Sequence, residues 1–184
     1  MGSVFRQDVG GVAAIEFAII GPVLVLILAG ASDIGLAVMT RMQVNEGVSA
    51  AANAALVSGA GLSSASADAT ATVMAKILQR TRRLANPTAT YKITFNGGRS
   101  YDFRGGSGVA SGAASAADEC RCPMQANGAI AWGAKVDCNT PCSNMSLSGR
   151  YVSIEVTWPY TPLFAQYGFI RNEGIHVQTL ALVQ

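Results

Sequence analysis

The chain has 184 residues and a mass of 19.0 kDa, which is enough for one membrane helix and one modest domain. Half of its residues are hydrophobic, but only 7% are aromatic and 13% are charged, and the formal net charge at pH 7 is +2. Nucleic-acid binding is not expected from so weak a positive charge. The one basic cluster, Arg80 to Arg83, instead matches the preference for cations at the C-terminus of a helix.

The N-terminal segment begins with a short polar leader, residues 1–11, and continues as an apolar run over residues 12–31. This run holds about twenty residues, the length that crosses a ~30 Å hydrocarbon core as one helix. Its single charge is Glu16. A carboxylate inside a spanning helix costs a few kcal/mol on insertion, so it is usually paired or functional. We therefore predict a transmembrane helix over residues 12–31 in which Glu16 has a specific role.

The helical pattern continues beyond the apolar run. Its apolar residues recur at spacings of three and four, as in an amphipathic helix: Val44, Val48, Ala51, Ala52, Ala55 and Leu56. This pattern predicts that helix one continues over residues 32–58 and ends at Gly59 to Gly61. Gly21-Pro22 predicts a kink or local melting, because proline removes a backbone donor.

The start of this helix resembles the cleavage motif of type IV pilin-like precursors. Gly11, four further residues, Glu16 and the aromatic Phe17 stand at the head of an apolar helix. The form is most similar to TadE-like pseudopilins of the Tad (tight adherence) pilus system. The resemblance implies that a prepilin peptidase cuts between Gly11 and Val12. Phe17 stands where the family's major pilins usually carry tyrosine, which favours a minor pilin.

Two further segments bear on the resemblance. The run Trp158 to Phe164 is similar to the Tyr-Pro-Tyr-x-Pro signature of TadE-like pseudopilins. Asp33-Ile34-Gly35-Leu36 keeps the acid and the glycine of a segment often found after the span, but lacks its aromatic residue and arginine. The resemblance therefore covers the N-terminal third and the C-terminal fifth of the chain, and the middle is interpreted from pattern alone.

Cleavage at Gly11 would give Glu16 a physical role. The new amino group of Val12 would be a cation in hydrocarbon, and the Glu16 carboxylate of a neighbouring subunit could pair with it. The alternative is an ordinary signal anchor in which Glu16 reaches toward the membrane surface. A cleaved secretory signal is disfavoured, because its apolar region is normally shorter and precedes the cut.

Residues 62–184 are expected to form an extracytoplasmic α+β head. An amphipathic segment with Asp68 near its start predicts a second helix that ends at Asn86-Pro87. Its apolar face is expected to pack against helix one rather than form a partner groove, and consists of Val73, Met74, Ile77, Leu78 and Leu84.

The rest of the head is expected to form a small antiparallel sheet. Segments 90–95 and 100–103 flank the turn Asn96-Gly97-Gly98 and predict a β-hairpin. Two later segments alternate with period two and predict strands at Tyr151 to Trp158 and Ile175 to Val183. The stretch Gly105 to Ala117 has almost nothing to bury, so we expect a flexible loop there.

Four cysteines form two clusters on either side of a short strand predicted at Ile130 to Val136: Cys120, Cys122, Cys138 and Cys142. An even count favours disulfides in an oxidising compartment. A zinc site is the alternative, but its usual Cys-x2-Cys spacing and a nearby histidine are missing. Three connectivities are open. We favour bridges between the clusters, because Cys120 and Cys122 are too close for a relaxed bridge.

No arrangement of residues indicates an enzyme. His176 is the single histidine, and no nucleophile or acid is patterned with it. Gly105 to Gly108 lacks the lysine of a phosphate-binding loop. We therefore expect no catalytic residue, no metal, no cofactor and no small-molecule substrate.

The leading hypothesis is a minor pilin or pseudopilin of a Tad-type pilus. Its expected partners are a prepilin peptidase, other pilin subunits and membrane lipid. The even count of cysteines suggests an oxidising compartment, so we expect the head in the periplasm and the N-terminus in the cytoplasm, with incorporation into an extracellular pilus also open. An uncleaved, membrane-anchored periplasmic interaction domain is the main alternative, and a secreted binding module is a third.

Overall fold

The computed structural model describes residues 9–57, 63–81, 88–126, 128–164 and 174–183. The predicted α+β fold, with a long N-terminal helix, a second helix, antiparallel sheets and two disulfides, is confirmed. The elements in chain order are α1 Val9–Val57, α2 Ala67–Arg80, β1 Thr90–Phe95, β2 Arg99–Arg104, β3 Ser107–Ser111, a 3₁₀ helix Ala114–Asp118, β4 Cys120–Ala126, β5 Ala129–Val136, β6 Tyr151–Trp158 and β7 Ile175–Leu182.

Helix α1 begins at Val9, slightly before the predicted start. It runs through Pro22 as unbroken α-helix, so the predicted local melting at Gly21-Pro22 is wrong. One missing donor is tolerated because the hydrogen bonds of the neighbouring turns hold the helix together. The predicted helix stop at Gly59 to Gly61, together with Leu84 and Asn86-Pro87 after α2, lies outside the described residues.

Five strands form one antiparallel sheet in the order β3-β2-β1-β6-β7. The predicted hairpin is β1 and β2, and its turn uses positive φ angles at Asn96 and Gly97. Gly97 is also required sterically, because a Cβ there would lie 2.2 Å from the Trp132 side chain. Asn96 is buried and joins two elements: its amide donates to the Ala117 carbonyl at 2.8 Å, and its side-chain oxygen accepts from the Tyr151 N–H at 2.6 Å.

The core lies between one face of this sheet and the helices. Helix α1 contributes a buried stripe that follows the predicted spacing, although Leu56 is 47% exposed and does not belong to it. The stripe consists of Val44, Val48, Ala51, Ala52 and Ala55. The sheet contributes Tyr91, Ile93, Phe95, Val152, Ile154, Val156 and Trp158.

Helix α2 also buries one face, which supports the core interpretation of its apolar residues. Met74 and Leu78 are fully buried, and Ile77 packs against the core while partly exposed. The predicted inclusion of Val73 is wrong, since its side chain is 48% exposed. Three alanines are buried on this face as well, where small side chains allow close packing, and they are Ala67, Ala71 and Ala75.

The stretch Gly105 to Ala117, predicted as a flexible loop, contains regular structure. Ser107–Ser111 forms β3 at the sheet edge, and Ala114–Asp118 forms the 3₁₀ helix. All five β3 residues are exposed. An edge strand draws its hydrogen bonds from the neighbouring backbone, so it needs no apolar side chains. A glycine is required at position 108, because a Cβ there would lie 2.3 Å from the Phe103 ring.

Strands β4 and β5 form a separate two-stranded ribbon. The predicted strand at Ile130 to Val136 is β5, whereas β4 was not predicted. Disulfides Cys120–Cys138 and Cys122–Cys142 both join one cysteine cluster to the other, as the spacing favours. The segment that contains the ribbon is closed at its two ends by backbone hydrogen bonds of 3.1 and 3.3 Å between Arg121 and Gly149.

Candidate functional site

The N-terminal half of α1 is exposed around its whole circumference. Every residue from 13 to 28 is exposed except Gly21, which is half-buried. An 18-residue window within Ala13–Val57 has a mean hydropathy of 2.3, and 11% of it is buried. The exposed large apolar residues are Ile15, Phe17, Ile19, Ile20, Val23, Leu24, Val25, Leu26, Ile27 and Leu28. Such a surface suits lipid or the apolar helices of other proteins.

The residues of the cleavage-like motif lie on this exposed half. Gly11 is inside α1, and a Cβ built on it would have nothing within 4 Å. Glu16 is exposed, and no other described residue gives it a hydrogen bond or an ion pair. The Phe17 ring is exposed and lies against Gly21, where a Cβ would be 3.7 Å from it. The side chain of Val12 lies outside the description.

Asp33 marks the point at which α1 enters the head. It is fully buried, although it stands two residues beyond the apolar run. Its two carboxylate oxygens accept the backbone N–H groups of Leu163 at 2.8 Å and Phe164 at 3.0 Å. The Tyr160 hydroxyl donates to the Asp33 carbonyl at 3.1 Å. Three hydrogen bonds therefore fix the β6–β7 loop to the helix.

This contact joins two segments that sequence reasoning treated separately. Asp33 belongs to the acid-and-glycine segment, and Tyr160, Leu163 and Phe164 belong to the aromatic and proline-rich run. The contact itself was not predicted, because its partners are separated by 130 residues along the chain. The available signal was an acid directly after an apolar span. Such an acid needs partners wherever it is buried.

A second polar cluster lies between α2 and β2. Asp68 accepts hydrogen bonds from the Tyr101 hydroxyl and from Arg99, whose guanidinium is 3.1 Å away and also donates to the Gly112 carbonyl at 2.8 Å. The hydrogen bond from Tyr101, followed by that from Arg99, lowers the pKa of Asp68. Burial raises the pKa of the Tyr101 hydroxyl. The cluster holds α2 on the sheet and includes no nucleophile.

The remaining polar groups do not assemble into a catalytic relay among the described residues. His176 is exposed on β7, and its Nδ1 atom is 3.1 Å from the hydroxyl of Thr157 across the strand pair. A cavity of about 410 Å³ lies between the ribbon and strands β6 and β7. Tyr151 is the one titratable residue in its lining, alongside Asn144, Gln178 and apolar side chains.

The cysteines hold two disulfides and leave no thiolate for zinc. Within the part of the chain that the structure describes, no group of three or more potential metal ligands is present. The bridges act on the ribbon, whose strands bury little apolar surface. Closing loops of this length typically stabilises a fold by about 3 kcal/mol per bridge.

The comparison with known protein families bears on the helix. Residues 11–53 match the family model described as TadE-like protein. The match confirms the resemblance predicted from Gly11, Glu16 and Phe17. It begins at Gly11 and takes in the exposed half of α1, Asp33 and most of the buried stripe. No curated protein and no solved structure matches the chain.

The TadE-like segment supports a role associated with a Tad pilus. Proteins of this family are generally structural rather than enzymatic. The apolar N-terminal helix within the segment is consistent with membrane anchoring. Association with other pilus components is the kind of interaction that the family suggests.

Proposed function

We propose that this protein is a minor pilin, or pseudopilin, that acts in the assembly or function of a Tad-type pilus. The observation that carries the proposal is the half of α1 that is apolar and exposed on every side within a TadE-like segment. Residues 12–31 anchor the protein in the bacterial inner membrane. Later in assembly, the same surface packs against the apolar helices of other pilin subunits.

The disulfides support the orientation of the protein in this membrane. Both bridges lie in the head, and such bonds persist in the periplasm and outside the cell. The head is therefore periplasmic and the leader, residues 1–11, is cytoplasmic. This arrangement presents the Gly11–Val12 bond to a prepilin peptidase near the cytoplasmic surface.

The local sequence supports cleavage at that bond. Gly10 and Gly11 lie in the first turn of α1, where a helical backbone would shield the peptide bond from a protease. Each glycine destabilises a helix by about 1 kcal/mol relative to alanine. The two glycines therefore make this turn the easiest part of the helix to unwind for cutting.

After cleavage, Glu16 supplies the charge that a neighbouring subunit needs. The Val12 amino group would be a cation at the start of the apolar helix, and the exposed Glu16 carboxylate has no partner among the described residues of its own chain. Pairing between subunits removes both uncompensated charges from the hydrocarbon. Phe17, exposed beside Glu16, adds apolar surface to the same contact.

The processing step is tested by the intact mass of protein isolated from a strain with its own peptidase. We expect the loss of residues 1–11, and we expect a bulky substitution, Gly11→Val, to prevent the loss. Gly35→Ala is the matched control, because it lies on the same helix with open space around it. A mature chain that still begins at Met1 would favour the uncleaved, membrane-anchored interaction domain.

The assembly step is tested with Glu16→Gln, which removes the charge and keeps the size. We expect this variant to insert and to be cut at Gly11, but to lose crosslinks to partner pilins. Gly11→Val should fail earlier, at cutting. If Glu16→Gln protein crosslinks to its partners as efficiently as wild type, charge pairing by Glu16 is refuted.

A further inference from the structure

We propose that the loop at residues 160–164 is a lipid-contacting foot, by which the head rests on the outer surface of the membrane. The proposal rests on the proposed residence of residues 12–31 in that membrane. The residues that would meet lipid are Leu163, which is 67% exposed, and Phe164, which is 38% exposed.

The first argument is height along the helix. The apolar run ends at Ala31, and about twenty residues at 1.5 Å each match the ~30 Å hydrocarbon core. Side chains in a helix lean toward its N-terminus, so the Asp33 carboxylate lies over the preceding turn. The N–H groups of Leu163 and Phe164 bind this carboxylate at 2.8 and 3.0 Å. The foot therefore lies level with the last turn of the spanning segment.

The second argument is that the foot is held in place. Three hydrogen bonds attach it to Asp33, which is fully buried. Pro159 and Pro162 restrict the φ angles of the same short run, and Pro162 is buried. Leu163 is thus presented to the outside on a fixed backbone.

The third argument is continuity of the apolar surface. A single exposed leucine on a soluble protein needs no explanation. Here the exposed Leu163 is bound to the residue next to Ile34, which is itself exposed on α1. The exposed apolar half of α1 ends just below. Ala29 and Gly30, between Leu28 and Asp33, are buried, so lipid would reach the foot along the exposed sides of the helix, at Ala31 and Ile34. Tyrosine is favoured at such an interface, which suits Tyr160.

The kind of partner follows from this placement. A patch at the end of a spanning helix meets the acyl and headgroup boundary before it meets any protein. Contact there would fix the height and tilt of the head above the bilayer before assembly. A subunit that leaves the membrane for a pilus must then detach its foot as well as its helix.

The test is photo-crosslinking of the full chain in vesicles of zwitterionic and anionic phospholipid. A benzoylphenylalanine is placed at Leu163, at Ile20 as the membrane control, or at Val109 as the matched control. Val109 is as exposed as Leu163 but lies on the edge strand β3. Protease resistance and oxidised cysteines establish that each variant is folded. We expect phospholipid adducts at positions 20 and 163, and only background at position 109.

The outcomes separate this inference from the proposed function. Lipid adducts at position 20 with background at position 163 would overturn the foot and leave membrane anchoring intact. Background at position 20 would overturn membrane residence and the foot with it. Adducts at position 163 that contain only protein would show that the loop faces another subunit, which also overturns the inference.

A second variant tests whether Asp33 holds the foot at this height. Asp33→Asn keeps the size of the side chain but replaces one carboxylate oxygen by a donor. We expect a lower lipid-adduct yield at position 163 and an unchanged yield at position 20. An unchanged yield at both positions would show that Asp33 does not position the foot.

Discussion

The two halves of α1 are both rich in apolar residues, but they differ in size of side chain and in surroundings. The exposed half carries isoleucine, leucine and phenylalanine on every side, whereas the packed half buries valine and alanine along one stripe. Small side chains let the sheet approach the helix closely. Large side chains facing outward instead require an apolar environment outside the chain. The buried stripe of small side chains therefore distinguishes the half that packs on the head, although that half also exposes larger residues, among them Ile34, Met39 and Met42.

The largest expected effect comes from placing a charge in the packed half. Val48 is fully buried, and Val48→Asp would put an unpaired carboxylate into the core. Such a group costs several kcal/mol, against a total stability of about 5–15 kcal/mol. We expect the head to lose cooperative thermal unfolding in detergent, as measured by circular dichroism.

Val25→Asp is the matched change in the exposed half. Its side chain has no cover from the head, so we expect the melting temperature of the head to stay at the wild-type value while membrane insertion falls. Equal loss of head stability in both variants would contradict the division of α1 into two halves.

The next largest effect is expected from removing a disulfide, which tests whether the ribbon and the central sheet are stabilised independently. We expect the double variant Cys122→Ser with Cys142→Ser to lose about 3 kcal/mol. Hydrogen exchange should increase in β4 and β5, while β1 and β6 stay protected. Val109→Ala, exposed on the edge strand β3, serves as the control. Equal loss of protection in β1 would show that the ribbon and the sheet unfold as one unit.

A smaller effect is expected at the boundary between the two halves. Asp33→Ala removes the acceptors of the Leu163 and Phe164 N–H groups, and because both residues are exposed enough for water to replace the carboxylate, we expect a loss of about 1 kcal/mol for each hydrogen bond. Faster proteolysis at the β6–β7 loop, with β1 still protected, is the expected result. Wild-type cleavage rates would mean that other contacts hold the loop.

The smallest effect is expected at Asp68, a hydrogen-bonded aspartate that, unlike Asp33, is exposed. Asp68 has a lowered pKa, so the stability it contributes is present above its ordinary value of 3.8 and is lost as the pH falls through the lower folded value. Its side chain is 69% exposed, so solvent screens the contact. We expect Asp68→Asn to flatten slightly the acid side of the urea-midpoint profile. Asp102→Asn is the control, and an identical profile for Asp68→Asn and wild type would exclude the contribution.

Much of the fold follows from local sequence. The stripe of α1, the hairpin at Asn96-Gly97 and the alternating strand β6 each have a periodic pattern or a turn that a short window reveals. Strand β3 has neither, because its hydrogen bonds come from the backbone of β2 and its side chains bury nothing. Hydrophobicity alone places Val73 on the wrong face of α2, because close helix packing also favours small side chains at the buried positions.

The candidate site divides in the same way. Gly11, Glu16 and Phe17 lie within one short motif, so their resemblance to a known family was visible from the sequence, and the match over residues 11–53 confirms it. The attachment of Asp33 to Leu163 depends on how the strands place a distant loop. No local window contains both partners, so only the folded chain reveals their contact.

The paired backbones of Arg121 and Gly149 have a consequence for how such proteins can diversify. They hold together the two ends of the ribbon-containing segment, which begins after the 3₁₀ helix and ends before β6. No residue between Arg121 and Gly149 takes part in the pairing of β1 with β6 or of β6 with β7. We therefore expect insertions and deletions to accumulate between residues 122 and 148 while the central sheet keeps its alignment, provided that both cysteine pairs and Trp132, which packs against Gly97 and Tyr151, are retained.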